Sequence, residues 1–138
     1  MKILLAALAA LAVVAPAHAA TLTVELEGVR AAAGPIYVSV QTREQFMQQS
    51  GVAGTVVETP RAGSHRFSYE LPAGDYAVSV WHDDNGNGRF DSDDRHVPLD
   101  GWAMVNGDSI RAEPRFDQVR TVLGEAPATV RLSMIYGR

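Results

Sequence analysis

Phe67-Ser68-Tyr69-Glu70-Leu71-Pro72-Ala73-Gly74-Asp75-Tyr76-Ala77-Val78-Ser79-Val80-Trp81-His82 decides how the rest of the chain is read. Phe67, Tyr69 and Leu71 alternate with Ser68 and Glu70; beyond the Pro72-Ala73-Gly74 break, Tyr76, Val78 and Val80 take up the alternation again. A period of two is that of a strand with one buried face. Pro and Gly two apart are turn formers, so the stretch predicts two strands joined as a hairpin. His82 continues the parity of Val78 and Val80, which predicts a histidine at the end of a core-facing strand.

The same period recurs on either side. Leu22, Val24 and Leu26 alternate with Thr23 and Glu25; Ile36, Val38 and Val40 alternate with Tyr37 and Ser39; Val130, Leu132, Met134 and Tyr136 alternate with Arg131, Ser133 and Ile135. Thr55 to Glu58 and Phe116 to Leu123 are further strand candidates. Half-buried strands of this kind belong to antiparallel sheets, whereas parallel strands read as continuous apolar runs. Arg43 to Gln49 favours a short helix or turn, with Phe46 and Met47 placed to cap one end of the core. Arg89 to Pro114 reads mostly as loop, long for a compact domain and therefore expected to be functional or held by something. There is no internal repeat, and the expected fold is an all-β, antiparallel β-sandwich of about seven strands in one domain, residues 20–138.

Residues 1–19 read as a signal peptide: Lys2 follows Met1, Ile3 to Val14 is a short apolar run, and Ala17-His18-Ala19 is a small-x-small cleavage site. No segment approaches the roughly 20 apolar residues of a transmembrane helix. Export to the periplasm or beyond, with cleavage near Ala19, is the expectation. The chain has no cysteine, so an oxidising compartment offers it no disulfide. Its only lysine is Lys2, and the net charge is −4, which argues against a nucleic-acid partner.

Directly after His82 stands Asp83-Asp84-Asn85-Gly86-Asn87-Gly88-Arg89-Phe90-Asp91-Ser92-Asp93-Asp94. Calcium takes six to eight hard oxygens, and a twelve-residue loop supplies them from positions 1, 3, 5, 7, 9 and 12, with Gly at 6 for the sharp turn. The expected ligands are Asp83, Asn85, Asn87, the Arg89 carbonyl, Asp91 directly or through water, and Asp94. Asp94 is one methylene shorter than the bidentate Glu of an EF-hand, and two amides lower the charge, so weak to moderate affinity is expected. A strand precedes the loop, and Pro98 and Gly101 follow it, so the flanking helices of an EF-hand are not expected. A bare Asn-Gly turn is the alternative reading.

His82 and His96 flank the loop and raise two further possibilities: a zinc site completed by Asp83 or Asp100, or a hydrolase working with nearby carboxylates. No Ser lies in a nucleophile elbow and no Cys is present. Trp81, Trp102, Tyr76 and Phe90 surround the region, with Trp81 and Trp102 a candidate platform for a sugar or a partner surface. A small-ligand carrier would need an apolar cavity.

Leu71-Pro72-Ala73-Gly74-Asp75-Tyr76-Ala77-Val78, running into His82-Asp83-Asp84-Asn85-Gly86-Asn87-Gly88-Arg89-Phe90-Asp91, resembles the bacterial family DUF2141, whose members are similar in length and strand content. Val97-Pro98-Leu99-Asp100-Gly101-Trp102 is similar to that family's Ile-Pro-x-Glu-Gly-aromatic run, with Asp100 in place of Glu. Met104-Val105-Asn106 stands where Phe-Ser-Asn is more usual, and Pro114-Arg115-Phe116 is similar to its Pro-x-Phe. The resemblance covers Asp83, Asn85, Asn87, Gly88 and Asp91 but not Asp94, which implies a last ligand from Asp93, Asp100 or water. The sandwich is expected to be immunoglobulin-like or transthyretin-like, by fold analogy alone. The functional expectation is a non-enzymatic accessory or binding module with a calcium-stabilised loop, its partner an envelope protein or polysaccharide and its oligomeric state open.

Overall fold

The computed structural model describes residues 18–137. The expected signal peptide lies almost wholly outside them. Among the described residues eight strands are formed: β1 (Ala19–Val29), β2 (Ile36–Gln41), β3 (Ala53–Val57), β4 (Gly63–Pro72), β5 (Gly74–His82), β6 (Gly101–Met104), β7 (Arg120–Leu123) and β8 (Ala128–Ser133). One short helix, α1 (Phe116–Val119), and a 3-10 turn at Gly107–Ser109 complete the list of elements. A three-stranded sheet runs in the order β4-β1-β8, and a second runs β3-β2-β5-β6, with β7 also paired to β5. The alternating apolar residues of both sheets meet between them. Leu22, Val24, Leu26, Ile36, Val40 and Val78 are fully buried there, joined by Val38, Val80, Val130 and Leu132. Burying each such side chain contributes about 1.5–3 kcal/mol. This is the all-β sandwich that the period of two implies.

The predicted hairpin is not one. β4 pairs with β1 in the first sheet, whereas β5 pairs with β2, β6 and β7 in the second. Pro72-Ala73-Gly74 therefore carries the chain from one sheet to the other. The Tyr76 hydroxyl donates to the Pro72 carbonyl at 2.7 Å and fastens that corner. Alternation states which face of a strand is buried; it says nothing about which strand lies beside it.

The strands are not all antiparallel either. β8 runs parallel to β1, from Leu22 opposite Ala128 to Glu27 opposite Ser133. Alternation is again blind to direction. On the outer face of this sheet Glu25 lies between Arg66 and Arg131, and the Arg131 hydrogen bond, at 2.8 Å, holds its carboxyl below the usual range.

Phe116 to Leu123 divides into α1 and β7 because Phe116 and Val119, three apart, are the residues buried, which is a helical spacing. They form a small second cluster with Ala77, against which Phe46 and Met104 rest. Met47 does not join Phe46 in capping the core: it is 52% exposed and has a φ of 62°. The long connection from Arg89 to Pro114 contains β6, a short strand that pairs with the last four residues of β5, Ser79–His82. The first four, Gly74–Ala77, pair with β7. β5 is thus the central strand of its sheet, and the Asp83 loop issues from its C-terminal end.

Candidate metal centre

His82 points into the sandwich and is fully buried. Its Nδ1 lies 2.8 Å from the Tyr136 hydroxyl, which accepts the Arg30 backbone N–H at 3.0 Å. Which of the two donates is set by the imidazole tautomer. Burial lowers the His82 pKa despite the neighbouring carboxylates, Asp84 first among them, which favours the neutral ring. Asp83 is also buried, yet its carboxylate is well provided for. Oδ1 accepts the Asn87 N–H at 3.1 Å and Oδ2 the Gly88 N–H at 2.7 Å. Leaving such donors unmet costs roughly 1–3 kcal/mol each, so Asp83 is what folds the loop back on itself.

The backbone at Asp83 is gripped from outside as well. Asp83 N–H donates to the Pro35 carbonyl at 3.0 Å, and Ala33 N–H donates to the Asp84 carbonyl at 3.3 Å. Between these contacts lies Gly34, where a Cβ would come within 1.8 Å of the Asp83 carbonyl oxygen. Only glycine allows two backbones to approach so closely.

Within the loop, Asn85 Oδ1 accepts the Asn87 N–H at 3.1 Å and Asn87 Oδ1 the Arg89 N–H at 2.9 Å. Both amide NH2 groups donate to one oxygen of Asp91, at 2.9 Å from Asn85 and 2.6 Å from Asn87. These bonds, Asn85 first, hold the Asp91 carboxyl below the usual range. Gly86 and Gly88 take left-handed φ values of 71° and 75°, the latter at the position where a cation loop turns. Asp83, Asn85, Asn87 and Asp91 are therefore gathered around one turn. Arg89 enters it through its backbone, with its side chain exposed.

Asp94 is elsewhere. The chain from Asp91 to Leu99 forms a small hairpin through the Ser92–Pro98 bridge and a Leu99 N–H to Asp91 carbonyl bond of 2.8 Å. Asp94 and His96 are exposed at its tip, where His96 has a φ of 61°. Asp93 caps that tip by accepting the Arg95 and Val97 N–H groups, each at 2.9 Å. His96 thus stands on an outer turn while His82 is interior. Among the described residues, no group of three His, Cys, Asp or Glu side chains is disposed to hold a metal ion, so a cation here would draw on amide and backbone oxygens as well.

Asp100, at the entry to β6, returns to the loop. It is 1% exposed; its Oδ2 accepts the Trp81 Nε1–H at 2.9 Å and the Asp91 N–H at 3.1 Å. Trp81 is in turn enclosed: Tyr37 stacks on it at 4.7 Å and Phe90 meets it edge-on at 6.2 Å. Its faces are engaged in fastening Phe90 of the loop to the sheet. Trp102 continues the same outer row, which runs Val56, Tyr37, Trp81, Trp102 across four strands.

A family profile described as an uncharacterized protein conserved in bacteria, DUF2141, matches residues 24–131. The chain belongs to that family. The match spans β1 to β8 and includes the whole DUF2141 loop region described above. No curated protein and no solved structure matches the chain.

Gly34, Arg30 and Tyr136 escape a reading of the sequence, because nothing local marks them. The loop around Gly34 and the tail bearing Tyr136 meet His82-Asp83 only through the fold. For Asp84 the signal was present, a second carboxylate beside the first, but the loop template assigns its position no role.

Proposed function

We propose that this DUF2141 protein is an exported, non-enzymatic β-sandwich module that binds an envelope protein or polysaccharide, and that calcium orders its Asp83-to-Asp94 loop. The observation that carries the reading is the gathering of Asp83, Asn85, Asn87 and Asp91 around one turn with Gly88 in the left-handed conformation. Hard oxygens from carboxylates, amides and a backbone carbonyl are what calcium takes. Each Asn Oδ1 uses one lone pair on a backbone N–H and keeps another, so rotation of the two amides would exchange their bonds to Asp91 for bonds to an ion. Asp83, Asn85, Asn87, Asp91 and the Arg89 carbonyl would hold it, with water completing the shell. The half-buried Tyr37–Trp102 row and Phe90, 49% exposed, would supply the contact surface beside it.

A ligand bound only by the native state raises stability by RT ln(1 + [L]/Kd), about 2.7 kcal/mol at a hundredfold excess over Kd. Scanning calorimetry with calcium and with chelator is therefore expected to show a higher melting temperature in calcium, and a smaller increment in Asp91→Asn. An increment identical in the variant and the natural chain contradicts the loop assignment.

A further inference from the structure

The two long sides of the sandwich are finished differently. On one side the tail after β8 crosses to the other sheet, where Trp102 of β6 and Ile135 exchange N–H to carbonyl bonds of 2.8 and 2.7 Å. On the other side β3 and β4 are outermost. Among the described residues each pairs with one neighbour, β3 with β2 and β4 with β1. Each therefore leaves a row of backbone N–H and C=O groups without a strand partner. The Thr55 and Tyr69 hydroxyls meet at 2.8 Å, so the two free edges lie one above the other.

Edge strands are commonly blunted by charge, proline or a bulge. β3, Ala53-Gly54-Thr55-Val56-Val57, has neither charge nor proline. Turned end for end about Thr55, it sets Val56 opposite Gly54 and Val57 opposite Ala53 of a second copy, a branched side chain against a small one each time. β4 does carry charge: Arg66 and Glu70 are exposed on its outer face, two residues either side of Ser68. Charge on an edge ordinarily keeps other strands away, but this spacing does the opposite for a copy of itself. Turned about Ser68, Arg66 of each chain falls directly opposite Glu70 of the other, and Phe67 opposite Tyr69. Side chains so placed have Cβ atoms about 4.5–5.5 Å apart, and opposite charges there attract. Both groups have bonding capacity to spare. Arg66 lies 3.6 Å from Glu25, whose hydrogen bond comes from Arg131, and Glu70 receives only the Thr21 hydroxyl, on one oxygen.

We infer that this open side joins two copies of the chain in a two-fold symmetric dimer, β4 pairing antiparallel with β4 and β3 with β3. Ser68 adjoins Tyr69, the partner of Thr55, so one axis passes close to the centres of both edges. Contacts across such an axis are reciprocal, which is what the Arg66 and Glu70 spacing supplies. Both sheets then continue across the axis, and the row of Tyr37, Trp81 and Trp102 is presented twice on one face. None of the loop's proposed ligands takes part, so the dimer stands or falls independently of the cation.

Sedimentation equilibrium of the purified protein in chelator, over a range of concentrations, is expected to show twice the monomer mass. Arg66→Glu and Glu70→Arg each set like charges opposite one another at two places in the dimer, and each should raise its dissociation constant on the order of tenfold. In the double variant Arg66→Glu/Glu70→Arg the attraction returns, and so should the tighter association. Residues 66 and 70 of one strand are about 13 Å apart, so such a rescue can come only from a second chain. Ser68→Lys, an exposed position that meets its own copy on the axis, should loosen the dimer and serves where a charge reversal fails to fold. A monomer at every concentration, a Ser68→Lys or single-reversal chain that associates as tightly as the natural one, or a folded double variant no tighter than the single reversals overturns the dimer and leaves the loop reading intact.

Discussion

Strand β5 has carboxylates at both of its ends, and they are neutralised in different ways. At the Gly74 end, Asp75 pairs with Arg120, and Asp117 of the adjoining helix pairs with Arg43 at 2.6 Å. All four side chains there are between 38% and 68% exposed. At the His82 end Asp83 and Asp100 are buried, and among the described residues no arginine forms an ion pair with them. Backbone N–H groups and the Trp81 indole take the place of arginine, and one carboxylate oxygen is left over. The contrast follows from solvation. Exposed carboxylates are served by water, so an arginine adds little; buried ones require fixed donors or an ion.

The contrast breaks most sharply at Gly34. Gly34→Ala drives a Cβ into the Asp83 carbonyl oxygen, and either Ala33–Pro35 or the start of the loop must move. A loss of about 3 kcal/mol, at the upper end for overpacking, is expected in urea denaturation. The loop's response to calcium should weaken with it, while the Gly74 end keeps its structure.

A far smaller effect is expected at the other end. Hydrogen bonding from Arg43 holds the Asp117 carboxyl below its ordinary 3.8. A depressed folded-state pKa stabilises above the unfolded value, and that contribution disappears as pH falls through the folded value. The difference in melting temperature between the natural chain and Asp117→Asn should therefore be slight at neutral pH and vanish in acid. Calcium should leave it unchanged, because these carboxylates already have their cations.

How much of this was legible in the sequence follows from what kind of information a residue carries. Leu22, Val24 and Leu26, or Val78 and Val80, declare a buried face by their spacing, so the sandwich could be read. The partner of β4 and the direction of β8 could not, because pairing and direction leave alternation unchanged. Phe116 and Val119 could be mistaken for a strand because four residues are too few to separate a period of two from one of 3.6. In the loop, Asp83, Asn85, Asn87 and Asp91 converge around one turn and Gly88 takes the expected conformation. Asp94 remains at the tip of the outer hairpin. Asp100 is legible only as a completing ligand, of a zinc site with the histidines or, through the family resemblance, of the loop, since its role depends on β6 returning beside β5.

Hydrogen exchange at single amides, recorded in calcium and in chelator, bears most directly on the claim that a cation orders the His82 end of β5. The amides of Asn87, Gly88, Arg89 and Asp91 are expected to become markedly better protected in calcium, while those of Arg43 to Gln45 and Asp117 to Arg120 do not change. Equal protection of the loop amides in both conditions would contradict it.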